Sequence, residues 1–172
     1  MHKHKRVIGF SLIELLVTIS VVIIFMSSAA PAFSSLIEKE KLKRLATEIE
    51  WLFVLSKSES VMRSNDVLVT FSGIEKIANN SSDNWSITAM DKITNDVIGA
   101  INGADFKGVV LSRSFQKESV NFSSLTGRPR QNGSLIFNTD NNAEKIKVKV
   151  SNMTGRIYTC SELGGYNYGT CS

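Results

Sequence analysis

Histidine is nearly absent from the 172 residues: His2 and His4 are the only two, and beyond position 4 there is none. Such a chain has no Ser-His-Asp or Cys-His machinery and lacks the commonest metal ligand. Cysteine is as scarce. Cys160 and Cys171 are the only pair, enclosing SELGGYNYGT at the very end, with no histidine near them to build a metal or redox site. Charge is missing over one long stretch: between Phe10 and Ile37 the single ionisable side chain is Glu14. These absences argue against an enzyme and give no reason to expect a metal or a cofactor.

The uncharged stretch is what the chain has instead. It is 28 residues long, and about 20 apolar residues span a bilayer as a helix. HKHKR precedes it, a cationic flank that stays cytoplasmic by the positive-inside rule. The polar remainder, from Glu38 on, then lies across the membrane. One feature conflicts with this reading: a charge at membrane depth costs roughly 2.5–3.5 kcal/mol, yet Glu14 is there. A secretory signal peptide is the rival, with Ser28 and Ala30 spaced like a cleavage site. Pro31 would directly follow that cut, however, and Glu14 would interrupt a segment that ought to be purely apolar.

A basic leader ending in Gly9, then Phe10, then SLIELL with Glu14 fifth after the glycine, resembles the class III signal of type IV pilins and pseudopilins. The resemblance implies cleavage between Gly9 and Phe10 by a prepilin peptidase, followed by N-methylation of Phe10. It also implies that Glu14 meets the new amino terminus of a neighbouring subunit, so that a buried pair replaces two costly lone charges. Pro31 matches the place where many pilins kink or loosen this helix. Removing residues 1–9 takes away Lys3, Lys5 and Arg6, so the formal +4 falls to +1. The basic balance is mostly a leader effect.

Apolar periodicity continues past the membrane. Leu42, Leu45, Ile49, Leu52 and Leu55 have the 3-4 spacing of one helix face, with Glu40 and Arg44 as an i,i+4 pair opposite. After SND the period becomes two, and strands are expected at 67–71, 85–90, 108–112, 134–138, 145–150 and 156–160. KIKVKV is the clearest, alternating Ile146, Val148 and Val150 with lysines. TDNNAE and SNMTG read as its hairpin connections. An Asp/Asn-rich turn such as NTDNNAE is far more often only a turn than a calcium site. The expected organisation is a leader at 1–9, a transmembrane and assembly helix at 10–37, its amphipathic continuation at 38–63, and a periplasmic β-rich head at 64–172. The fold class is α+β and type IV pilin-like, one long helix packed on an antiparallel β head.

LSKSESVMRSNDVLVTF, VNFSSLTGRPRQNGSLIFN and KIKVKVSNMTGRIYTC resemble the helix-to-strand segment and later strand blocks of the GspH/FimT minor pilins. Residues 72–119 resemble little. The group includes the H-type pseudopilin of type II secretion and FimT-type minor pilins of type IV pili, some of which bind DNA during uptake. The implied partners are the peptidase, other pilins, inner-membrane lipid and, for the FimT type, duplex DNA. In the periplasm Cys160 and Cys171 would be oxidised, and a C-terminal disulfide is common in pilus pilins.

A Gly-Arg-x-Arg element near the C-terminus marks the DNA-binding members. Here GRPR at 127–130 is complete, whereas GRIY at 155–158 has Tyr158 in place of the second arginine. Residues 106–160 carry nine basic against three acidic side chains, and 64–105 two against six. Arg128, Arg130, Lys145, Lys147, Lys149 and Arg156 are therefore the candidate phosphate contacts. The plainer reading is a lysine-protected strand face.

Overall fold

The computed structural model describes residues 11–77, 83–139 and 144–171, apart from the side chains of 28–32. Gly9 and Phe10 lie outside the described residues, as do the side chain of Pro31 and most of TDNNAE. The chain divides into two compact units, 1–38 and 39–172.

The first unit holds the beginning of helix α1, Leu12–Met62. Its large apolar side chains are exposed, from Val21 at 44% to Leu12 at 77%. The hydroxyls interrupting the run turn back onto the helix: Thr18 donates to the Leu15 carbonyl, Ser20 to Leu16 and Ser27 to Ile24. Such bonds satisfy a hydroxyl without water. Among the described residues, no helix is long and apolar enough to cross a membrane.

The second unit is built around the rest of α1. Four of the five residues of the expected face, Leu42, Leu45, Ile49 and Leu52, are buried at 0–1% exposure, the fifth, Leu55, is half-buried, and Ala46 and Phe53 widen the face. Ser56 and Ser60 extend it as small buried residues, bonded to the Leu52 and Lys57 carbonyls. The expected Glu40–Arg44 pair is not formed. Arg44 reaches forward to Glu48 at 2.8 Å and Glu40 bonds Lys43 at 2.9 Å. Two rungs with opposite charges on both sides of Arg44 leave it a choice, and spacing alone does not decide between them.

Eight strands follow: β1 Val67–Ser72, β2 Ser86–Asp91, β3 Val97–Asn102, β4 Val109–Arg113, β5 Ser119–Phe122, β6 Gly133–Thr139, β7 Ile146–Val150 and β8 Ile157–Ser161. They form two antiparallel sheets, ordered β3-β2-β1-β5 and β4-β6-β7-β8. The six expected strands are all present, shifted by one residue at most at either end. β3 and β5 are additions to that set. β5 is only four residues long, and Gly99 and Ala100 blunt the alternation that marks a strand in β3. Gly99 packs closely on the helix, where a Cβ would press on Leu52 Cδ1 at 2.8 Å.

Alternate residues of both sheets meet the helix in one core. Phe53 stands edge-on to Phe71, centroids 6.3 Å apart, and tilted to Phe122 at 6.1 Å. Burial of so many aliphatic and aromatic side chains is the main favourable term in the fold. Arg113 is buried with each guanidinium nitrogen bonded: Nε donates to the Ile74 carbonyl, Nη1 to the Phe115 carbonyl and Nη2 to Glu118. A buried guanidinium is tolerated only with such complete pairing. It is thus a structural residue, to be struck from the surface charge of the head.

Candidate functional site

Two regions carry the candidate residues. The first is the exposed start of α1. Glu14 lies in its first turn, where a carboxylate complements the positive end of the helix dipole. Around it Leu12, Ile13, Leu15, Leu16 and Val17 are at least half exposed. Water is a poor environment for such a surface, and a contiguous patch of this size marks a contact with lipid or protein.

The second region lies at the C-terminal end of the helix, where two turns meet. Ser123–Arg128 reads SSLTGR and Ser151–Arg156 reads SNMTGR. They fold identically. In each, the serine N–H bonds the arginine carbonyl at 3.0 Å and the glycine N–H bonds the serine carbonyl, at 2.7 and 2.9 Å. The threonine hydroxyl accepts from the arginine N–H in both. Gly127 and Gly155 take left-handed φ of 64° and 67°, which glycine alone adopts cheaply. One turn closes β5 and the other joins β7 to β8, so each sheet contributes one.

The turns are fastened to the helix and to each other. Lys57 Nζ donates to the Gly155 carbonyl at 3.2 Å, and Arg128 Nη1 donates to the Met153 carbonyl at 3.2 Å. A Cβ on Gly127 would touch Lys57 Cγ at 3.1 Å, and one on Gly155 would touch Arg128 Cγ at 3.1 Å. Two Gly-Arg elements far apart in sequence thus share one surface.

The remaining candidate cations are dispersed. Arg130 pairs with Asp66 at 3.2 Å and Lys147 with Glu162 at 2.7 Å. Lys149 and Arg156 both lie over the Tyr158 ring, at 5.5 and 4.8 Å. The residue replacing the family's second arginine is therefore a platform for two cations. Lys147 and Lys149 share the outer face of β7, with Lys145 just before it, but only Lys149 reaches toward the turns through Tyr158. The carboxylates respond to these neighbours. Asp66 is held below the usual range by the Ser124 N–H, then by Asn121 and Arg130. Lys147 does the same for Glu162. What the sequence reading overlooked was the six-residue repeat itself, Ser-x-apolar-Thr-Gly-Arg, which was legible by aligning the two segments.

Cys160 and Cys171 are joined, with Cα atoms 5.1 Å apart. The loop they close packs Tyr166 and Tyr168 against the core. Burial raises the Tyr168 hydroxyl pKa. Glu144 accepts from the Gly165 N–H at 2.7 Å and anchors the loop from outside. Among the described residues, no group of three or more His, Cys, Asp or Glu is placed to hold a metal.

Comparison with known families gives two matches. A family model described as type II transport protein GspH matches residues 45–155, and one for the prokaryotic N-terminal methylation motif matches residues 4–30. No curated protein and no solved structure matches the chain. The first match runs from the core face of α1 through β1 to β7 and stops at the glycine of the second turn, before β8, and the second match covers the leader from residue 4, Gly9, Phe10 and Glu14. The chain accordingly belongs to the GspH/FimT family of type IV pilin-like proteins, as a pilin or pseudopilin subunit.

Proposed function

We propose that the chain is a minor pilin or pseudopilin, held in the inner membrane by residues 10–37 with its head in the periplasm, which joins or primes a type IV pilus or a type II secretion pseudopilus. Prepilin peptidase cuts between Gly9 and Phe10 and methylates Phe10, and Glu14 then pairs with the amino terminus of a neighbour. The carrying observation is the exposed apolar surface around Glu14, on a helix whose later stretch buries one face, Leu42 to Phe53, in a core. Its partners are lipid before assembly and other pilins afterwards; Pro31 is the expected point of kinking. The role is structural, with no chemistry of its own. Mass spectrometry of the mature protein tests this: N-methylated Phe10 as first residue is expected, whereas a start at Pro31 would return the secretory-signal reading.

A second reading, a FimT-type subunit binding duplex DNA, is favoured by the meeting of the two Gly-Arg turns. Arg128 and Arg156 lie in those turns, with Arg130 two residues beyond Arg128. Two observations weigh against it: Arg130 and Lys147 already face carboxylates. Gel shifts with the full chain in detergent decide. Binding that falls steeply with salt and weakens in Arg128→Ala with Arg130→Ala supports phosphate contact; no shift at low salt removes the reading.

A further inference from the structure

The twin turns present more than cations. Leu125 and Met153 stand at equivalent tips and, at 89% and 81% exposed, are the two most exposed large apolar side chains among the described residues. Beside them runs a groove of ≈ 590 Å³ walled by Val54, Val61, Met62 and Ile157. Val61 is half exposed and Met62 three-quarters exposed. Lys57 and Arg156 supply the lining's charges, beside Ser58 and Gly155, and no carboxylate lines it. The surface is also rigid, because Lys57 and Arg128 clamp the second turn's backbone. Pre-formed, mostly apolar concavities with a few placed charges are what binding sites look like.

We propose that this groove and the two tips receive an apolar segment carrying a carboxylate, presented by a different protein subunit of the same filament. The proposal rests on the reading of the chain as a filament subunit and names where and by what chemistry one neighbour is recognised. Charge selects the occupant's sign: two lining cations with no counter-charge among them call for an acidic group, which also disfavours wrong partners of like charge. The walls select its class. Duplex DNA would satisfy the arginines but has nothing apolar to fill a groove of Val54, Val61, Met62 and Ile157, whereas a protein side chain fills it. Arg156 is held ready over the Tyr158 ring, so little side-chain freedom is lost when it pairs.

The test uses the full chain in cells that make the rest of the machine. A photo-cross-linking amino acid replaces Leu125, Met153 or, as a comparably exposed apolar control away from the turns, Leu163. The expected result is an adduct with another subunit at the first two positions, about tenfold above the control. The linked peptide should carry a carboxylate beside apolar residues. Arg156→Glu should lower the yield about tenfold, as loss of an interfacial charge pair does. Changing the partner's carboxylate to lysine should restore it. A non-reducing gel showing Cys160–Cys171 intact confirms that the variant has folded. Equal yield at Leu163, no adduct, an adduct with DNA, or indifference to Arg156→Glu would each overturn the proposal. Sedimentation with the filament separates the two levels. A chain present in filaments without the adduct defeats the groove alone, and a chain absent from them defeats the subunit reading beneath it.

Discussion

One helix is used in two ways. Between Leu12 and Met26 its large apolar side chains are 44–77% exposed, while between Leu42 and Phe53 the core-facing ones are at most 1% exposed. The residue types are similar; the pattern is not. In the first stretch apolar side chains occupy every face, so no packing against one sheet could bury them. In the second they form a stripe, with Glu40, Lys43, Arg44 and Glu48 opposite it. An all-round apolar helix needs surroundings on all sides, and a striped one needs a single partner. The head satisfies the second requirement internally and leaves the first to be met from outside.

The most drastic way to break this comparison is at Glu14. On the proposed reading, Glu14→Ala removes a charge from the membrane, so it is expected to leave processing and membrane insertion intact but to abolish incorporation into filaments. Immunoblots of sheared filaments and membrane fractions check this, and normal incorporation would end the pairing argument. Next in size is the core. Phe53→Ala should destabilise the head by about 3–5 kcal/mol, the usual cost of emptying a buried phenylalanine site, whereas Ile23→Ala should leave head unfolding unchanged. Denaturant titration monitored by Trp85 fluorescence measures both, and comparable losses would mean the two stretches are not distinct. Cys160→Ser comes third, at about 3 kcal/mol in the chain-entropy model for a loop of this length.

Acid sharpens the contrast further. Asp91 is buried and held below the usual carboxylate range, first by Asn65 and then by the Thr94 and Ile93 N–H groups; Asp66 is lowered by Ser124 and Asn121. Carboxylates depressed in the folded state lend stability that is complete above their unfolded value, near pH 4, and lost as pH falls through the folded one. Head stability should therefore hold down to about pH 4 and drop below it. In Asp66→Asn the neutral-pH stability should be lower and the acid dependence shallower, as followed by circular dichroism. The smallest effect belongs to the exposed pairs: Glu48→Ala should cost no more than about 0.5 kcal/mol in the same titration.

Most of the architecture was legible because it rests on period. The helix face, six of the strands and the hairpins around KIKVKV each follow from spacing that sequence displays directly. β3 and β5 were illegible because what makes them strands is tertiary: β3 is aligned by its pairing with β2, and β5, only four residues long, by its pairing with β1. The site divided in the same way. The signal around Gly9 and Glu14 was legible as a motif, and the disulfide followed from the family resemblance and the compartment. The basic half of the head was overcounted, since Arg113 proves internal and Arg130 and Lys147 are paired. The count of charges is in the sequence, but their partners come from distant segments such as Asp66 and Glu162. Which rung Arg44 takes was likewise undetermined by spacing.

The order of the strands has a consequence for how the head comes into being. β4 joins the sheet of β6, β7 and β8, while β5, later in the chain, returns to the sheet of β1, β2 and β3. Neither sheet is a continuous stretch of chain, so neither can be finished by a ribosome-ordered, half-by-half route. β1 must wait for a strand some fifty residues downstream. Such non-local pairing slows folding and ties the two sheets into one cooperative transition. A chain cut between β4 and β5 would leave both sheets unfinished, one lacking an edge strand and the other all but β4. A head of this topology is therefore complete only once the last strands of both sheets are in place.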